Sequence, residues 1–140
     1  MRRFAAAALY VALTGCQTGD SVPVAAANID VVAPIPGANV AVAYLDISNR
    51  SGDPIAITRV TSPQFESVAM HETTIADGIS SMRPVDSVVI GDGETLRFEP
   101  GGLHLMLMRP IPGGDQVTLN FYSNGTLLLS VSAGMRSHSD

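Results

Sequence analysis

At 140 residues the chain has room for one domain with a single core and none for a second independent one. Hydrophobic residues make up 46%, so it should fold, and the formal net charge is −5 with the basic pair Arg2-Arg3 at the extreme N-terminus. Without a basic patch or interleaved aromatics, nucleic-acid binding is excluded.

The N-terminus has the layout of a targeting segment. Arg2-Arg3 supply a positive n-region, and Phe4 to Leu13 supply an apolar stretch too short to span a bilayer of ~30 Å. Leu13-Thr14-Gly15-Cys16 then resembles the cleavage box of bacterial lipoproteins, in which the cysteine is acylated. Cys16 is the chain's sole cysteine, and lipidation accounts for a lone cysteine in an exported protein better than a free thiol does. The expectation is a signal peptide over residues 1–15, a mature chain starting at lipid-bearing Cys16, and a flexible tether over residues 16–28. Gln17 after the cysteine favours the outer membrane, by resemblance to enterobacterial lipoproteins.

From residue 29 to 134 short apolar runs alternate with turn signals, which predicts the folded domain, followed by a short tail over 135–140. Ile29 to Ile35 reads as a strand ended by Pro36-Gly37. Val40 to Ser48 alternates, with Ala41, Ala43, Leu45 and Ile47 on one face. Ile55 to Val60 follows the turn cluster Asn49 to Pro54. Phe65 to Thr74 and Ile79 to Arg83 flank Asp77-Gly78, a hairpin signal. Val85 to Ile90 and Glu94 to Glu99 flank Gly91-Asp92-Gly93, read as a second hairpin. Val117 to Ser123 and Thr126 to Ala133 flank Asn124-Gly125, the clearest hairpin turn in the chain. No stretch of the mature chain keeps a helical period. The pattern predicts an all-β sandwich with Greek-key-like connections.

The chemistry gathers between Met70 and Met108, which hold two of the three histidines and four of the six methionines. In Leu103-His104-Leu105-Met106-Leu107-Met108 the leucines share one strand face, and His104, Met106 and Met108 share the other. A half-buried strand ordinarily sets polar residues opposite its leucines, so an imidazole with two thioethers calls for a soft-metal site. His71 and Met82 flank the Asp77-Gly78 turn and can approach the same end of the sandwich. Two imidazoles and two thioethers carry no formal negative charge and favour Cu(I) over zinc, magnesium or calcium. Met70 belongs to the opposite, core face. A blue-copper centre is excluded, because it needs a cysteine thiolate beside its histidines. With no Gly-x-Ser-x-Gly elbow, phosphate loop or partnered carboxylate pair, no enzyme is expected.

The spacing His71-x10-Met82-x21-His104-x-Met106, with His71-Glu72-Thr73, Met82-Arg83-Pro84-Val85 and Pro100-Gly101-Gly102-Leu103-His104 around it, resembles the signature of the periplasmic copper chaperones called PCuAC. The likeness runs roughly from Val31 to Val131. It implies a cupredoxin-like β-sandwich and a Cu(I) site made by His71, Met82, His104 and Met106; from their own positions, Met108 reads as a neighbour of the ligands or a surface residue, and Glu72 as a neighbour of the ligands or a solvated group. The likeness implies a carrier that hands copper over in the periplasm, with Sco-type partners, to the CuA subunit of cytochrome c oxidase. Relatives with a longer Met- and His-rich tail bind a second copper, for which this chain offers only Met135 and His138. The alternatives are a copper-scavenging or tolerance lipoprotein and a structural sandwich without metal function.

Overall fold

The structure, a computed structural model, describes residues 23–139. The signal peptide and Cys16 lie outside the described residues. Eleven strands and no helix form the described chain. They are β1 (Val24–Val32), β2 (Val40–Asn49), β3 (Ile55–Ile57), β4 (Arg59–Thr61), β5 (Phe65–Ala76) and β6 (Ile79–Val85). There follow β7 (Val88–Ile90), β8 (Thr95–Phe98), β9 (Leu103–Pro110), β10 (Gln116–Ser123) and β11 (Thr126–Arg136). One nine-stranded sheet runs β4-β10-β11-β1-β2-β9-β5-β6, with β8 also on β2, and β3 pairs with β7 in a second sheet.

The long sheet curls until its inner faces meet in a cupredoxin-like β-sandwich. Ala41, Ala43, Leu45 and Ile47 of β2 and Leu105 and Leu107 of β9 are buried in one cluster with Val117, Leu119 and Phe121 of β10. The rings of Phe98 and Phe121 meet across the layers at 6.4 Å. β2 alternates buried and half-buried positions without a break, as its sequence predicts. The parallel pair β1–β11 joins Val31 to Met135 and closes the path between the two halves.

Both predicted two-residue hairpins form. Asp77 and Gly78, at φ 53° and 75°, and Asn124 and Gly125, at 47° and 86°, have the consecutive left-handed residues that suit the strand twist.

Several boundaries differ from expectation, among them the C-terminal one, where β11 takes up Met135 and Arg136 of the expected tail because they pair with Val31 and Val32. The first strand starts at Val24 rather than Ile29, so the tether cannot extend to residue 28. Val24 is buried against the core and pairs with Asn49, backbone contacts that the small alanines after it do not advertise. The run Ile55 to Val60 is two strands, because Thr58 leaves the ladder: its N–H donates to Tyr122 O at 2.8 Å and hands the chain from the small sheet to the large one. Gly91-Asp92-Gly93 turns the chain but makes no hairpin. β7 pairs with β3 and β8 with β2, so the turn crosses between sheets.

A buried amide organises that crossing. Asn49 is fully buried; its Nδ2 donates to Ile90 O at 2.9 Å and Asp53 O at 2.8 Å, and its Oδ1 accepts from Ser51 N and Oγ. Every polar atom of the side chain is satisfied, which clamps two loops to the end of β2.

Candidate metal centre

Strands β6, β5 and β9 lie side by side, and their register decides what shares a face. His71 pairs directly with His104, Ala69 with Met106, and Thr73 with Met82. Paired residues project to the same face of a sheet, so His71, Met82, His104 and Met106 stand together on the face away from the core. Met106 lies one row to one side of the histidine pair and Met82 one row to the other. Each is the nearest neighbour of a different imidazole: Met106 follows His104 on β9, and Met82 reaches His71 across a diagonal of about 7–8 Å.

The two imidazoles stack, with centroids 6.2 Å apart and planes inclined at 24°. His104 is buried and its Nδ1 lies 2.9 Å from Gly102 O. A carbonyl can only accept, so Nδ1 carries the proton and Nε2 keeps its lone pair for a ligand. The same carbonyl accepts Thr73 N at 3.0 Å, tying β5 to the turn before β9. Gly101, at φ 77°, lets the chain make that turn. His71 Nδ1 is buried and has no hydrogen-bond partner. A buried ring nitrogen left unpaired costs about 1–3 kcal/mol, a debt that an ion bound there would cancel. His104 thus has its second ring nitrogen held as in a metal-binding imidazole, and His71 has a buried ring nitrogen with no protein partner.

The sulfurs differ in environment. Met106 is half-buried between Ala69 and Val42, whereas Met82 is 59% exposed on the edge strand. Among the described residues no three His, Cys, Asp or Glu side chains converge, so an ion held on this face depends on thioether sulfur.

Met108 shares the face but pairs with Ser67 and Val40, one row beyond Met106. Glu72 departs from expectation. It projects to the opposite face of β5, where it accepts Arg83 Nη2 at 2.6 Å and Nε at 3.1 Å, so it neutralises Arg83 and stands away from the His71–His104 face. Met70 is buried in the core, as its place on β5 predicts. Tyr44 lies on the same face of the sheet as Met106; burial, and then the Asp30 charge, push its phenol above the usual value. The Gly102 carbonyl was hidden from sequence reasoning, although Pro100-Gly101-Gly102 just before His104 signals a tight turn there.

Comparisons place this arrangement among known proteins. The solved "Copper-bound PCuAC domain from PmoF2" superposes with a TM-score of 0.63 at 20% identity, covering 82% of this chain and 93% of that one. The "Apo PCuAC domain from PmoF1" gives 0.63 at 16% identity, over 82% and 94%. The solution structure of apo-DR1885 from Deinococcus radiodurans gives 0.58 at 25% identity, over 99% of this chain and 95% of that one. The fold is therefore that of PCuAC domains, as the spacing of the histidines and methionines implies. "Putative lipoprotein Lxx21020" of Leifsonia xyli subsp. xyli (strain CTCB07) is 29% identical over 149 aligned residues, 94% of this chain and 87% of the relative. The sequence profile of the family described as "Putative lipoprotein LpqE-like" matches residues 24–133, all of the sandwich but the end of β11, and the chain belongs to that LpqE-like family.

Proposed function

We propose that this protein is a lipid-anchored carrier of Cu(I), which it binds through His71, His104, Met106 and Met82 and hands on in the cell envelope. One observation carries the reading: the His71–His104 pair, with one proton fixed by Gly102 and one buried nitrogen unpaired, standing between two methionines on an outward face. Copper is cargo here. A ligand set of neutral imidazoles and thioethers favours Cu(I) over Cu(II), and it stays intact outside the cytosol because thioether neither ionises nor forms disulfides. The fold it shares with a copper-bound PCuAC domain supports the same reading.

The site suits transfer better than storage. Met82 is exposed on an edge strand, so it is the ligand an acceptor can displace first, after which a thiolate partner takes the ion by stepwise exchange. The acceptors that fit are envelope proteins with thiolate or Met/His sites, such as Sco-type proteins and the CuA subunit of cytochrome c oxidase. Acylation of Cys16 would hold the domain at a membrane surface on the periplasmic side, the outer membrane by the Gln17 rule. X-ray absorption of the Cu(I)-loaded protein tests the ligand set: mixed nitrogen and sulfur scattering supports it, and a shell of oxygen and nitrogen alone refutes it.

A further inference from the structure

The copper-bearing hairpin and the entry of the chain into the domain lie at the same end of the sandwich. Ala43, Leu105 and Met70 form one row across β2, β9 and β5. From that row β2 runs from residue 43 to 49 and β5 from 70 to 76 in the same direction, so Asn49 and Ala76 end level, roughly 20 Å along at ~3.3 Å per residue. Val24 pairs with Asn49, and Arg50 N donates to Pro23 O at 2.7 Å, so the N-terminal segment enters here. Ala76 pairs with Ile79 across Asp77-Gly78, so the β5–β6 tip is here too.

That tip is apolar and unsupported. β9 begins at Leu103 opposite Glu72, and the chain beyond Thr73 stands out as a two-stranded ribbon. Ile75 is 71% exposed on the metal-bearing face and Ile79 70% exposed on the other. Exposed Val89 lies at the same end, next to Ile90, whose carbonyl receives Asn49 Nδ2. Large apolar side chains on both faces of a projecting hairpin have no use in water.

The length of chain before the domain names the occupant. Cys16 is seven residues ahead of Pro23, a span of at most about 25 Å when fully extended. A lipid on Cys16 therefore keeps this end of the sandwich, and no other, within reach of the bilayer. We propose that the β5–β6 tip docks on that bilayer, with Ile75 and Ile79 entering the headgroup boundary. Asp77 lies in the tip itself, Asp53 and Asp92 lie in the loops at the end of β2, and Arg83 on the same hairpin is neutralised by Glu72. The contact is thus apolar, favours zwitterionic over anionic lipid, and tolerates salt. It holds Met82, three residues from Ile79, at the membrane surface, where a membrane-bound acceptor can reach it.

The inference rests on acylation of Cys16, and the test separates the two. The chain contains no tryptophan, so a single Ile79→Trp substitution in the full lipidated protein is a clean reporter. Ile111→Trp, at the far end of β9, is the control. Both are reconstituted in phosphatidylcholine vesicles with and without brominated chains. Because bromines near the headgroup boundary quench only tryptophan that enters it, emission from the Ile79→Trp protein should fall roughly twofold while the control is unchanged. Replacing part of the phosphatidylcholine by phosphatidylglycerol should reduce the quenching. A protein that fails to float with vesicles refutes the anchor and the docking together. One that floats but shows equal, weak quenching at both positions refutes the docking alone and assigns the tip to a protein partner.

Discussion

His71 and His104 occupy paired positions on β5 and β9, their rings stacked with centroids 6.2 Å apart and only one of the two Nδ1 atoms satisfied by the protein. An imidazole must be neutral to bind a metal ion. Protons therefore compete directly with the ion, and Cu(I) affinity should fall steadily as solution is acidified. Competition against a pH-insensitive Cu(I) probe at stepped pH measures this; affinity that holds flat into acid would remove the histidines from the site.

Met106 and Met82 sit on opposite sides of that pair in unlike surroundings. Replacing either by leucine removes a sulfur donor while preserving volume and apolarity. Each variant should lose about tenfold or more in Cu(I) affinity, ~1.4 kcal/mol. Because Met82 is exposed, Met82→Leu should leave the urea midpoint within about 0.5 kcal/mol of the parent. Unchanged affinity in either variant would strike that methionine from the ligand set.

Asn49 has no part in metal binding yet should be among the most sensitive positions. Asn49→Ala would leave Ile90 O without its partner in a buried setting, remove the acceptor of Ser51 N–H and free the two loops it clamps. The expected loss is about 3 kcal/mol by urea denaturation. A loss under 1 kcal/mol would show that the loops hold together without it.

Asp30 and Arg136 join β1 to the end of β11 through two hydrogen bonds, at 2.7 and 2.9 Å. Hydrogen bonding to the Arg136 guanidinium holds the Asp30 carboxyl below the usual carboxylate value. A depressed folded-state pKa adds stability above the ordinary value of ~3.9 and loses it as pH falls through the folded value. The pair is some two-fifths exposed, so solvent screening limits it to well under 1 kcal/mol. Asp30→Asn should lower stability slightly at neutral pH and not at all near pH 2, which paired denaturation curves would reveal. An equal loss at both pH values would assign the effect to packing.

Much of this was legible because strand alternation is a local property. The alternating β2 and β9 patterns, both two-residue hairpins and the shared face of His104 and Met106 follow from period-two spacing and turn chemistry, whereas the register that sets His71 opposite His104 does not. What stayed hidden depends on partners far away in sequence. Val24 joins the sheet because Asn49 is there to receive it, and nothing in residues 23–28 says so. Thr58 splits one apolar run because Tyr122 offers it a carbonyl. Alternation alone sets Glu72 on the face opposite His71, but its partner Arg83 is named only by the β5–β6 register. The carbonyl of Gly102, which orients His104, belongs to the backbone and leaves no side-chain trace.

The central claim is that these four side chains hold Cu(I). A competitive Cu(I) titration of the mature chain carrying Cys16→Ser, beside the same protein with His104→Ala and Met106→Ala, tests it most directly. The account predicts one tight site in the parent and its collapse in the double variant, with the fold of both unchanged by circular dichroism. Equal, weak binding by both proteins would contradict it and leave a structural lipoprotein whose histidines and methionines carry no copper.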